Sequence, residues 1–277
     1  MKSILNTIAI IPARMGSSRF PGKPLAKICG VPMIEHVYRR CAMARDLQGV
    51  YIATCDEEIR EAVAGFGGKA IMTSDKHERA SDRVAEAMLQ AEKILGKRAD
   101  IVVMVQGDEP MVTPKMIDEA VGPLQKDKNI LVSNLMALIR SQEEQDDPNT
   151  IKVVADHDHF ALYFSREPIP HRGRSKEPVS MFKQVCIIPF ARDFLLKFNR
   201  LSQTPLEIAE SVDMLRVLEH GEKVQMVLTK FETYSVDTPE DLQRVEKYFQ
   251  KDKLFLLYQQ KSLSPASPRT KAGAGKR

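Results

Sequence analysis

Apolar and polar positions along the chain fall into two alternating patterns. Ile8–Ile11, Val50–Ala53 and Ile101–Val105 are short, nearly unbroken apolar runs, as expected of strands covered on both faces. Between them apolar residues recur at helical spacing: Met33, Ile34, Val37, Tyr38 and Cys41 within Met33–Met43, then Val84, Met88, Ala91 and Leu95 within Ser81–Leu95. Shorter patterns predict a helix over Glu57–Ala64 and a strand over Ala70–Met72, and Pro114 opens a helix that reaches Leu124. Strands alternating with helices predict an α/β fold, a mainly parallel sheet flanked by helices. The rhythm breaks after a strand at Leu131–Leu138. Residues 139–190 read as an excursion, polar and loop-rich to residue 180, with short strands at Ile151–Val154 and Ala161–Phe164. Helices resume at Asp193–Phe198 and Pro205–Leu218, and Thr238–Phe249 closes the fold. One domain is therefore expected over residues 1–255, with the 139–190 excursion available to a substrate or a second subunit.

Composition narrows the class without changing that picture. With 43% hydrophobic and 28% charged residues over 277 positions, the make-up is ordinary for a globular protein. No apolar run approaches the ~20 residues needed to span a bilayer, and residues 1–6 carry no long apolar leader. A cytoplasmic protein with no membrane partner is the expectation. Cys29, Cys41, Cys55 and Cys186 form no CxxC pair and read as reduced thiols. The net charge of +4 hints at nucleic acid, but residues 261–277 hold five basic side chains and no acidic one. The first 260 residues together are thus one charge negative. The basic character belongs to a tail, residues 256–277, whose Ser, Pro, Ala and Gly content predicts disorder. No nucleic-acid partner is implied.

Candidate chemistry sits where the strands end. After Ile8–Ile11 the chain reads Arg14-Met15-Gly16-Ser17-Ser18-Arg19-Phe20-Pro21-Gly22-Lys23-Pro24. Backbone N–H groups in such a loop can cradle phosphate oxygens while its Arg and Lys side chains neutralise them. It is neither of the two familiar phosphate loops. Five residues rather than four separate Gly16 from Gly22, Pro24 follows Lys23, and no GxGxxG occurs. After Ile101–Val105 comes Gln106-Gly107-Asp108-Glu109-Pro110, where a carboxylate just past a buried strand can hold a divalent cation or cap a turn. Asp237, ahead of Thr238-Pro239, is a second such carboxylate and equally a helix-start residue. Asp108 and Asp237 are the candidate magnesium ligands. His157-Asp158-His159 reads as a solvated turn, and His171-Arg172-Gly173-Arg174 as a basic loop.

Four ordered motifs carry a resemblance: IPAR(x)GSSR(x)PGKPL at 11–25, VQGDEP at 105–110, ALYFSR(x)PIP at 161–170 and VDTPEDL at 236–242. Over roughly residues 7–250 the chain resembles the 3-deoxy-manno-octulosonate (Kdo) cytidylyltransferase family. The resemblance implies a nucleotide-diphospho-sugar transferase-like, Rossmann-like domain with a dimerisation excursion. It also implies CTP and an acidic sugar as substrates, Mg2+ as cofactor, and a homodimer. Lys23, Asp108 and Asp237 would be catalytic, the two aspartates as metal ligands. Arg14, Gly16, Ser17, Lys23, Arg83 and Gln106 would bind nucleotide, and Ser165, Arg166, Gln184, Asp213 and Met214 would face the sugar.

Departures from the family cluster away from the nucleotide loop. His77-Glu78-Arg79-Ala80-Ser81-Asp82-Arg83 stands where the family reads HxSGTDR. Gln184 and Ile188 replace His and Tyr, and Asp213 and Met214 replace Glu and Gln. Lost hydrogen-bonding groups point to an altered acceptor. Two alternatives therefore stand beside Kdo activation. One is a cytidylyltransferase for another acid, such as an amino-octulosonate, a nonulosonate or a phosphonate. The other is a non-catalytic nucleotide-sugar binding protein.

Overall fold

The structure, a computed structural model, describes residues 5–17, 19–171, 173 and 179–263. Ser18, Arg172, Arg174 and the basic segment from residue 264 onward lie outside the described residues. In chain order the first strands are β1 (Thr7–Pro12), β2 (Lys27–Ile28), β3 (Val31–Pro32), β4 (Gly49–Thr54), β5 (Ala70–Met72) and β6 (Ile101–Val105). They are followed by β7 (Ser133–Leu138), β8 (Lys152–Ala155), β9 (Ala161–Ser165), β10 (Phe182–Val185), β11 (Ile187–Ala191) and β12 (Gln225–Thr229). The helices are α1 (Met33–Cys41), α2 (Glu57–Gly65), α3 (Ala80–Leu95), α4 (Pro114–Lys126) and α5 (Gln142–Asp146). Then come α6 (Arg192–Phe198), α7 (Pro205–Glu210), α8 (Asp213–Glu219), α9 (Pro239–Phe249) and α10 (Lys253–Leu263).

Side-chain alternation in β1 sets up the layers. Ile8 and Ile10 enter one core while Ala9 and Ile11 enter another on the opposite face, so both faces of the strand are buried. The first sheet has the order β11-β6-β1-β4-β5. Its β6, β1, β4 and β5 run parallel, and β11 joins β6 antiparallel. Parallel neighbours need helical crossovers, which α1, α2 and α3 supply. A second five-stranded sheet, β12-β7-β10-β8-β9, is mostly antiparallel. The excursion is thus not an irregular loop: it contributes β8, β9 and β10 to this sheet. Antiparallel pairing needs no crossover helix, and the turn at residues 156–160 suffices to join β8 to β9. His157–His159 form a turn closed by Asp156, whose Oδ1 accepts from the amides of Asp158 (3.0 Å) and Phe160 (2.8 Å).

Two expectations need correction. The helix expected over Pro205–Leu218 is two helices, because Ser211 adopts a left-handed conformation with φ 52° that ends α7. Disorder from residue 256 is also wrong: α10 runs to Leu263 and buries Phe255 and Tyr258 in a third core with Ile28, Met33, Val236, Val245 and Phe249. Aromatic side chains there repay the ordering of the helix.

That third core encloses a polar network. His36 Nε2 lies 2.9 Å from the Ile28 carbonyl and must donate to it, so Nδ1 accepts from the Tyr258 hydroxyl at 2.6 Å. Buried Arg40 pairs with Asp252 at 2.9 Å and lies over the Phe249 ring. Burial, more than any neighbour, pushes His36 down to about 4. An unfolded chain therefore binds this proton at higher pH than the folded one does. Stability is full above about 6.5, declines as pH falls through the window from about 6.5 to 4, and loses about 3 kcal/mol from this one group. Thermal midpoints at pH 7 and 4.5 should show a smaller drop in His36→Asn than in the parent. An equal drop would remove His36 from the acid response.

Candidate active site

The chain leaves β1 toward β4 on one side, while β6 lies on the other, so the crevice beyond β1 and β6 is a topological switch point. The basic loop and the Gln106–Asp108 turn both emerge there. Two glycines make the approach possible. Gly22, at φ 72°, turns the chain into a short 3-10 turn at Lys23–Leu25. At Gly107 a Cβ would stand 3.1 Å from the Pro12 carbonyl oxygen and 3.3 Å from Ile34 Cδ1, so a side chain would push the two loops apart.

Lys23 is the hub. Its ammonium donates to Asp108 Oδ2 at 2.8 Å, to the Val236 carbonyl at 3.0 Å and to Asp237 Oδ1 at 3.3 Å. These use all three of its protons. Burial opposes its charge, but Asp108 and then Asp237 overcome that cost and raise its pKa. Arg19 adds a second cation, donating to Asp237 Oδ1 at 3.0 Å and to Asn149 Oδ1 at 2.6 Å. Beside them Glu109 is pushed up to about 8, first by burial and then by the Asp108 carboxylate. Asp237 is held from behind: its amide donates to Asp241, which also forms a capping box with Thr238 at the start of α9.

A cleft of about 310 Å³ opens over this cluster. Arg14, Gly16, Ser17 and Lys23 of the loop line it together with Arg83 of α3, Gln106 and Asp108 beyond β6, and Asp237 just ahead of α9. The sequence-predicted nucleotide and metal residues are thus brought together. Arg14 is exposed there, with no ion-pair partner among the described residues. Arg83 is buried and donates to Thr73 Oγ1 at 2.5 Å. Arg79, which stands where the resembled family has a small polar residue, reaches the same cleft and ion-pairs with Glu207. Glu207 also takes the Arg216 guanidinium in a two-point pair of 2.6 and 2.8 Å. The departure at 79 therefore braces the start of α3 against α7. A larger groove of about 970 Å³ lies on the far side of Asp237, between the excursion and α9. It does not meet the ends of β1 and β6.

The expected sugar residues are not on the wall of the 310 Å³ cleft. Ser165 Oγ donates to Glu210 Oε1 at 2.9 Å, and the Arg166 amide donates to Oε2 at 2.7 Å. The Arg166 guanidinium serves the carbonyls of Glu210 (2.6 Å) and Pro148 (2.8 Å). Gln184 donates to Asn134 Oδ1 at 2.6 Å. Asp213 is half-buried; loss of water around it raises its pKa against the opposing pull of Arg79, and it accepts from Ser81 Oγ at 3.5 Å. Met214 and Ile188 are core residues, not wall residues, because α8 and β11 turn those positions inward. Two of the departures thus belong to packing. Arg19 and the Val236 carbonyl were missed as site groups. The signal for Arg19 was its place in the basic loop; a backbone carbonyl leaves none.

A basic loop facing paired carboxylates at a switch point, opening on one cleft, is the arrangement of a nucleotidyltransferase. A family model described as cytidylyltransferase matches residues 8–224, and the chain belongs to that family. Over 247 residues it is 46% identical to the 3-deoxy-manno-octulosonate cytidylyltransferase of Geobacter metallireducens, covering 86% of this chain and 95% of that one. It is 41% identical over 245 residues to the 8-amino-3,8-dideoxy-manno-octulosonate cytidylyltransferase of Shewanella sp. (strain ANA-3), with coverages of 88% and 98%. The solved structure of a CMP:2-keto-3-deoxy-manno-octonic acid synthetase complexed with CTP matches with a TM-score of 0.82 at 39% identity, over 89% of this chain and 99% of that one.

Proposed function

We propose that this chain couples CTP to Kdo or a closely related acidic sugar, giving a CMP-linked sugar and pyrophosphate. The observation that carries the reading is the convergence of Asp108 and Asp237 on one ammonium at the mouth of the basic loop. The names of its relatives supply the nucleotide and the acceptor class.

Magnesium fits this donor set. Asp108 and Asp237 offer hard oxygen ligands side by side, and no group of three or more His, Cys, Asp or Glu suited to a metal occurs among the described residues. Mg2+ takes one or two carboxylates and completes its shell with phosphate oxygens and water. When bound, it polarises the phosphate and neutralises developing charge. The chain's own part is positioning and charge neutralisation, which dominate phosphoryl-type transfers. As the acceptor hydroxyl attacks the α-phosphorus, giving up its proton to water, and the bond to pyrophosphate breaks, Arg14 and Lys23 stabilise the leaving oxygens. For that, Lys23 exchanges carboxylate partners for phosphate ones. No protein nucleophile is needed. The reading includes a homodimer built through residues 139–190 and a cytoplasmic location; no helix among the described residues is long and apolar enough to cross a membrane.

The test is pyrophosphate release from CTP, UTP, ATP and GTP with a panel of sugar acids. CTP with Kdo, or with a close analogue, should release pyrophosphate and yield the CMP-sugar. Silence with every pair would overturn the reading.

A further inference from the structure

Asp56 is the N-cap residue just ahead of α2, where an aspartate side chain ordinarily accepts from the helix's opening amides, yet it forms no such cap. Its carboxylate turns away from the helix instead. Oδ2 accepts from the Met15 amide at 2.8 Å, across 41 residues of chain. Met15 lies in the basic loop, between Arg14 and Gly16. The carbonyl of the same residue accepts from the Ser17 amide at 2.9 Å and the Gly22 amide at 3.1 Å. Residue 15 is thus gripped at both of its backbone polar groups. Two residues earlier, the Ala13 amide donates to the Ala53 carbonyl at 2.9 Å, so the loop is tied to β4 as well. Asp56 is itself steadied, its amide donating to Thr54 Oγ1 at 3.1 Å. Asp56 does not line the cleft formed by the described residues.

From this clamp we infer that Asp56 is a positioning residue for nucleotide binding. By fixing the Met15 amide it sets the direction in which Arg14 on one side, and Gly16 and Ser17 on the other, face the cleft. A carboxylate beside an anion site would ordinarily repel the anion. Here it acts from behind the loop, with one oxygen committed to a backbone donor. The helix gives up its cap so that the loop is held. The inference rests on the reading of the cleft as a triphosphate site.

Three variants separate the possibilities. Asp56→Ala should raise Kd for CTP, measured calorimetrically with Mg2+ present and no acceptor sugar, and KM for CTP, each about tenfold, the scale of one lost hydrogen bond. Its kcat and KM for the acceptor should stay within about twofold, and the Met15 amide should exchange faster with solvent. Asp56→Asn keeps an acceptor oxygen and should restore CTP affinity. Asp56→Ser can cap α2 but is too short to reach Met15, so it should hold or raise the thermal midpoint while CTP affinity stays low. If Asp56→Ala leaves Kd for CTP unchanged, or if Asp56→Asn binds as weakly as the alanine variant, the inference is wrong. A parent protein that binds no CTP would instead overturn the proposed function, and this inference with it.

Discussion

Changing Asp108 or Asp237 to asparagine should lower turnover by about three powers of ten while the thermal midpoint stays close to that of the parent. Asparagine preserves shape and an acceptor oxygen but removes the charge, so the fold keeps its contacts with Lys23, at 2.8 and 3.3 Å in the parent. What is lost is half of the negative charge that would hold magnesium against the phosphates. Steady-state rates across a magnesium titration, with thermal melts alongside, check this. Near-normal turnover in either variant at limiting magnesium would remove that residue from the mechanism.

The second large effect concerns the C-terminus. A chain ending at Lys251 loses Asp252, Phe255 and Tyr258 together, which leaves buried Arg40 without its ion-pair partner and His36 without its hydroxyl donor. Removing one partner of a buried pair costs about 3–5 kcal/mol, and losing a buried Phe costs a similar amount. Their sum rivals the whole stability of a typical domain, about 5–15 kcal/mol. The expected result is an insoluble protein, or a midpoint lowered by more than about 10 °C. A chain ending at Leu263 should melt and turn over like the parent. If the Lys251 truncation melts normally, α10 is an ornament.

Why α10 escaped sequence reading is physical. Lys253–Leu263 has almost no one-sided apolar stripe: among its described side chains Phe255 and Tyr258 are buried, while the equally apolar Leu256 and Leu257 are exposed. Periodicity cannot see a helix whose burial is settled by partners elsewhere. β12 escaped for a related reason: its two faces are unevenly covered, so Gln225–Thr229 does not alternate cleanly. Strands covered on both sides, such as β1 and β6, were plain in the sequence because nearly every position is apolar. That the basic loop and the two aspartates share one cleft was legible too, since charges and glycines at strand ends have few structural uses. Around Ser165, Gln184 and Met214 the reading was poorer. There the side chains answer to Glu210, Asn134 and a packed core, and those partners are distant in sequence.

Lys23 and Arg19 oppose Asp108 and Asp237 within a single cluster, two charges of each sign. Such a balanced set is a filter. A lone anion that drew Lys23 away would leave two carboxylates uncompensated in a partly dry site, and a lone cation that drew the carboxylates away would strand a buried ammonium. Within this four-charge cluster, free phosphate or a free metal ion is therefore expected to compete weakly. A ligand carrying both signs at once gives every displaced group a new partner, so discrimination arises from what the wrong ligand leaves unpaired.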